Sequence, residues 1–187
     1  MDEKAKKKFI LNERQKLLVP VVMLGAFFEG YDFMVINLVL PYVAKDFNIS
    51  EQMAAYVLSL IAIGTLVAFF VVRTADRIGR RPIFLFSVLL YSLFTLLTAF
   101  SPSIEIFVIL QFLGRIFLIG CWAVGYIIMS EEFDPELRGR ALAMFQAAAA
   151  IGAIFPSVFL PIAAHTELHW CLLYIIGGIP LLVIAWG

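Results

Sequence analysis

Six stretches of about 20 predominantly apolar residues, joined by short polar links, constrain this chain more than any other feature. A helix needs about that many apolar residues to cross the hydrocarbon core of a bilayer, where the backbone must satisfy its own N–H and C=O groups. The hydropathy pattern predicts spans at 17–40, 53–72, 83–100, 106–129, 141–164 and 170–186. Of 187 residues, 63% are hydrophobic and 15% charged, far from the balance of a water-soluble domain. The expected fold class is all-α, a polytopic membrane protein with six transmembrane helices. It divides into a basic N-terminal segment, 1–16, and one transmembrane bundle, 17–187.

Charge placement predicts orientation. Lys4, Lys6, Lys7, Lys8, Arg14 and Lys16 precede span one, Arg73, Arg77, Arg80 and Arg81 follow span two, and Arg138 and Arg140 follow span four, whereas Lys45 alone occupies the alternate set of loops. Basic residues mark the cytoplasmic side, so both chain ends are expected in the cytoplasm and the chain in a plasma membrane of the bacterial or archaeal inner-membrane type. Fourteen Lys plus Arg against fourteen Asp plus Glu leave no net basic excess for nucleic acid. The lipid bilayer is the first expected partner. Trp170 and Trp186 bracket span six as interfacial anchors would, and Cys121 and Cys171 read as buried free thiols.

No cofactor, metal or catalytic chemistry is implied. His165 and His169 lie in the loop after span five, no serine within a span has the glycine flanks of an intramembrane nucleophile, and no His, Cys and acid cluster has metal spacing. The chain is not expected to be an enzyme.

Three ionisable residues interrupt the apolar runs: Glu29 and Asp32 in span one and Arg115 in span four. At 1.5 Å per residue, Glu29 lies about 18 Å and Asp32 about 22 Å from the start of span one, and Arg115 about 14 Å from the start of span four. All three therefore fall near the midplane. Charges at that depth face a bundle interior, find partners and mark functional sites. Two acids for one base leave a carboxyl group free to titrate. Span four presents Gln111, Arg115, Leu118, Trp122 and Tyr126 at spacings of three and four, an amide, a guanidinium and two aromatics on one side. Span five carries Gln146, Ala149, Ala153 and Ser157, small and polar residues suited to close helix approach.

The loop after span two, Asp76, Arg77, Ile78, Gly79, Arg80 and Arg81, resembles the signature loop of the major facilitator superfamily, with Val72 where the family has a leading glycine. Gly30, Tyr31 and Asp32 resemble the first-span motif of its sugar porters, and Glu29 to Asp32 resembles that of its aromatic-acid proton symporters, as Gly114 and Arg115 resemble the fourth-span pair of both. The segment from Glu131 to Arg140 resembles their loop after span four. The resemblance implies two inverted three-helix repeats, half of a major facilitator fold. It also implies a proton-linked pair, Asp32 and Arg115, with Glu29 as the second candidate acid. A cytoplasmic gate would be formed by Asp76, Arg77, Gly79, Arg80, Arg81, Arg138 and a glutamate, with Glu131 and Glu132 both open for that place. Gly152 and Pro156 lack the neighbours of the family's antiporter pattern, which favours symport or uniport.

The expected function is transport of a small solute, as proton-coupled symport of an organic or aromatic carboxylate. Gln111, Arg115, Trp122, Tyr126 and Gln146 are the candidate binding residues. Sugar transport and a non-transporting membrane scaffold are the alternatives. Six spans are half of the family's usual twelve, so a second six-helix half is an expected partner. The chain would then be a fragment, a split half or one copy of a homodimer.

Overall fold

The computed structural model describes residues 12–164, 166 and 168–186, with the side chains of 14, 164 and 183–186 left aside. Lys4, Lys6, Lys7, Lys8, His165, Gly187 and the side chains of Arg14 and Trp186 lie outside the described residues. The elements are α1 (Glu13–Asp46), α2 (Glu51–Ile78), α3 (Arg80–Thr98), α4 (Ile104–Glu132), α5 (Pro135–Ala164), α6 (Cys171–Gly177) and α7 (Ile179–Trp186).

Most of these helices outrun the apolar spans because their ends are set by local capping, whereas the bilayer requires only about 20 residues. The Asn12 side chain accepts from the Gln15 N–H at 2.8 Å while the Gln15 side chain accepts from the Asn12 N–H at 3.0 Å, a reciprocal capping box. Ser50 caps α2 through the Met53 N–H, and Ser103 caps α4 through the Ile106 N–H. Each of these three helices carries an acid in its first turn, Glu13, Glu51 and Glu105, where the helix dipole favours it. Among the described residues five helices are long and apolar enough to cross a membrane, and Cys171–Leu182 is a shorter apolar one.

The predicted sixth span, 170–186, is not one continuous helix. It divides at Gly178, where the Gly178 N–H donates to both Tyr174 O and Ile175 O at 3.1 Å and the Leu181 N–H donates back to Gly178 O. Pro180 has no N–H with which to continue the ladder, so the turn tightens and restarts. Trp170 departs from the anchoring expectation as well. It is buried, its Nε1–H donates to Asp46 Oδ2 at 2.6 Å, and its ring meets Phe107 and Tyr174 edge-on with centroids 5.9 Å away. Cys121 is a buried free thiol and Cys171 a half-buried one.

In lipid, apolar side chains gain little by leaving the solvent, so helices associate where small residues allow close packing. The tightest contact is reciprocal. A Cβ on Gly30 of α1 would run into the Ala149 backbone of α5, and a Cβ on Gly152 of α5 would run into the Phe27 backbone of α1. The α2–α4 contact is built similarly: a Cβ on Gly120 would lie 2.7 Å from Val71 Cγ1, and one on Gly64 would lie 2.9 Å from Phe112 O. Exchange of the two three-helix repeats relates the pair α1–α5 to the pair α4–α2, as the inverted-repeat architecture requires. The buried line on α5 is Ala141, Phe145, Gly152, Pro156 and Ala163, whereas Gln146 and Ser157 are exposed.

Two apolar clusters fill the bundle. One, containing Val22, Phe84, Val88, Ile128 and Phe145, lies toward the α2–α3 and α4–α5 loops, called here the basic face. The other, containing Val35, Val39, Ile61, Phe107 and Leu173, lies toward the opposite face. They meet at the level of Glu29 and Asp32. Substitution of Gly30 or Gly152 by Val should cost at least about 3 kcal/mol through forced separation of α1 from α5. Thermal unfolding in detergent should show a large loss for both, and none for Gly139→Ala, where a Cβ meets nothing within 4 Å.

Candidate functional site

The α1–α5 contact fixes the height and rotation of α1 and turns its acids inward. Glu29 and Asp32 are each 8% exposed. Thr95 Oγ1 of α3 donates to Asp32 Oδ2 at 2.9 Å, and Asp32 Oδ1 is buried with no protein partner. From α6, a Cβ on Gly177 would lie 2.5 Å from Asp32 Oδ1 and 2.7 Å from Thr95 Cγ2, so only glycine lets that backbone close over the carboxylate. The Tyr31 hydroxyl donates to Leu173 O at 2.8 Å and ties α1 to α6 beside it.

Arg115 approaches from α4 and is half-buried. Its guanidinium carbon stands 4.9 Å from the centroid of the Phe33 ring, a cation–π contact. Among the described residues no ion pair within 4.0 Å joins Arg115 to Glu29 or Asp32, although the three charges act on one another. Asp32, Thr95, Gln111 and Arg115 line one small cavity, completed by Gly114, Leu118 and Tyr174. Gln111 is oriented there by donating from Nε2 to Thr98 Oγ1 at 3.1 Å.

The structure brings Gln111, Arg115 and Asp32 together, with Glu29 one turn away on α1. It does not bring Trp122, Tyr126 or Gln146 to that cavity. The Trp122 and Tyr126 rings pack on each other at 5.8 Å, and Tyr126 meets the buried Phe145 at 6.2 Å. Gln146 is exposed on α5. Thr95, Thr98, Tyr174 and Gly177 complete the site without having stood out in the sequence. A signal for two of them exists: Ser87, Tyr91, Thr95 and Thr98 recur at spacings of three and four along α3, and all are buried.

A second charged group occupies the basic face. Gly79, at φ +111°, makes the turn between α2 and α3, a backbone conformation suited to glycine. The turn places Arg80 between Asp76, at 3.7 Å, and Glu131 at the end of α4, with which it forms an ion pair. Arg81 pairs with Glu132 at 3.5 Å, and Gln15 Nε2 donates to Glu132 O at 2.7 Å, joining the start of α1 to the same corner. Both glutamates are thus engaged, each by a different arginine. Arg77 and Arg138 are exposed and form no ion pair among the described residues.

A helical bundle with apolar outer faces, a buried acid and a guanidinium at mid-depth, and an ion-pair network at one face defines an integral, multi-pass membrane protein. Residues 22–186 match the Major Facilitator Superfamily, and the chain belongs to that family. It is similar to the niacin transporter NiaP of Acinetobacter baylyi, 27% identical over 87% of this chain and 37% of the relative. It is also similar to a gentisate transporter of Corynebacterium glutamicum, 30% identical over 87% of this chain and 38% of the relative. Among solved structures it superposes on the proton:xylose symporter XylE of E. coli with a TM-score of 0.78 and 19% identity, over 90% of this chain and 43% of that one. The chain spans less than half the length of these relatives.

The Arg80–Glu131 contact is partly exposed, with side-chain exposures of 31% and 55%, so its strength should be modest. A double-mutant cycle with Arg80→Ala and Glu131→Ala, read by unfolding in detergent, should give a coupling of about 0.2–1 kcal/mol. Arg138→Ala should change stability by no more than about 0.5 kcal/mol.

Proposed function

We propose that this chain forms one six-helix half of a proton-coupled symporter for a small organic or aromatic carboxylate. The observation that carries the reading is the placement of the Asp32 carboxyl and the Arg115 guanidinium on one mid-depth cavity without a direct ion pair. An uncompensated charge is costly at that depth. Protonation of Asp32 removes one charge and leaves the guanidinium free to take the carboxylate of a substrate in its two-pronged geometry. Glu29, one turn closer to the basic face, is the second acid of the site. Niacin and gentisate, the cargoes in the relatives' names, are aromatic acids, which suits a guanidinium beside the Phe33 ring.

The basic face is placed in the cytoplasm, with both chain ends, on the distribution of Lys and Arg among the loops. There the pairs Arg80–Glu131 and Arg81–Glu132 hold the inner ends of α2, α3 and α4 together while the cavity opens outward. The opposite wall of the pathway comes from a second six-helix half, a separate segment or another copy of the chain. The exposed apolar faces of α2 and α5, with Leu66 at 75% and Ile154 at 63% exposure, are the surfaces such a partner and the lipid would cover.

Uptake of a radiolabelled aromatic carboxylate into proteoliposomes carrying the assembled carrier tests this reading. An acid-outside gradient should drive accumulation. Asp32→Asn should abolish accumulation and preserve counterflow exchange, and equal loss of both would remove Asp32 from coupling. Arg115→Lys should weaken carboxylate binding about tenfold or more, because an ammonium cannot reproduce the forked contact. A carrier that binds and moves no solute would instead be a scaffold.

A further inference from the structure

Asp32 Oδ1 and the Tyr174 hydroxyl share an unusual position. Both belong to side chains more than nine-tenths buried, with exposures of 8% and 1%, and both lack a protein partner. Both residues border the cavity that also holds Gln111 and Arg115. Buried polar atoms in native proteins are hydrogen-bonded to protein or to ordered water, and a polar cavity holds a water when it has room for one and offers two to four partners. The cavity has about 10 Å³ of room for the centre of a water-sized sphere, enough for about one molecule.

We infer that a single bound water bridges Asp32 Oδ1, the Tyr174 hydroxyl and Arg115, and that Tyr174 is the positioning residue that holds it. The water donates one hydrogen to Asp32 Oδ1 and accepts from the tyrosine O–H or the guanidinium N–H. Its role deepens the symport reading and rests on it: the proton reaches and leaves Asp32 through this water, and the Asp32–Arg115 interaction is relayed by it. Sodium is a poorer occupant of the same space, since Arg115 lines it.

The geometry of α6 supports the assignment. Tyr174 reaches the cavity because α6 approaches Asp32 at Gly177, three residues further along, where a Cβ would collide with the carboxylate. The break at Gly178 follows immediately, so this short helix is placed by the site rather than by a continuous span. The other titratable groups that act on Asp32 are Glu29 and Tyr31 on its own helix, Tyr91 on α3 and Arg115 on α4. Tyr31 is already committed to Leu173 O, which makes it an internal reference for a dry, buried tyrosine.

Water-edited solid-state NMR on the full chain in lipid bilayers, with 13C-labelled tyrosine and aspartate, tests the inference without requiring transport. Magnetisation starting on water should reach Asp32 Cγ and Tyr174 Cζ several-fold faster than Tyr31 Cζ. Tyr174→Phe should slow the Asp32 build-up several-fold while the helical resonances stay in place. Equal, slow build-up at Tyr174 and Tyr31 in the unaltered chain would overturn the inference, as would an Asp32 build-up indifferent to Tyr174→Phe. Failure of the symport reading shows separately, as proton-driven uptake retained by Asp32→Asn.

Discussion

The reciprocal glycine contact between α1 and α5 is the constraint from which the rest of the site follows. Within a bilayer there is little hydrophobic gain in pressing two apolar helices together, so the energy of association comes from close backbone approach and from the few polar bonds made across helices. Gly30 and Gly152 allow that approach in both directions at once, Gly30 against Ala149 and Gly152 against Phe27. Gly30 stands between Glu29 and Asp32, so the residue that fixes the helix also fixes the depth and rotation of both acids. The matching α2–α4 contact at Gly64 and Gly120 does the same for α4, whose Arg115 side chain lies against Gly64.

Two charged groups sit at different levels of this frame, and α4 belongs to both. Its middle carries Gln111 and Arg115, and its end carries Glu131 and Glu132, engaged by the arginines that follow the Gly79 turn. The start of α1 joins the same corner through Gln15 and Glu132 O. A displacement of α4 or α1 caused by a changed charge state at mid-depth therefore has a direct structural route to the ion pairs at the basic face. Between the levels lies the apolar cluster containing Phe84 and Phe145, with the partly buried Trp122–Tyr126 pair packed against it.

The parts of this architecture legible in the sequence are those where one residue type is out of place in its surroundings. A carboxylate or guanidinium within an apolar run stands out, and Glu29, Asp32 and Arg115 were readable for that reason. The first five spans followed from apolar length, but helix ends did not, because Asn12, Ser50 and Ser103 set them through side-chain caps independent of hydropathy. The break in the sixth span was written in Gly177, Gly178 and Pro180, yet the apolar content around them concealed it. Thr95 and Tyr174 were harder, since hydroxyls are common in membrane helices and only the fold reveals which of them face a carboxylate. Trp122 and Tyr126 show the converse. They share a side of α4 with Arg115, but lie toward the apolar cluster rather than on the cavity.

The central claim is that protonation near Asp32 and carboxylate capture by Arg115 are two halves of one event. It is tested most directly by the proton balance of binding, with the assembled carrier in weakly buffered detergent solution and a small aromatic carboxylate added while the bulk pH is recorded. Linkage predicts that the protein takes up protons as the carboxylate binds, and that Asp32→Asn binds the same compound without that uptake. Carboxylate binding by the unaltered protein with no change in bulk pH would contradict it.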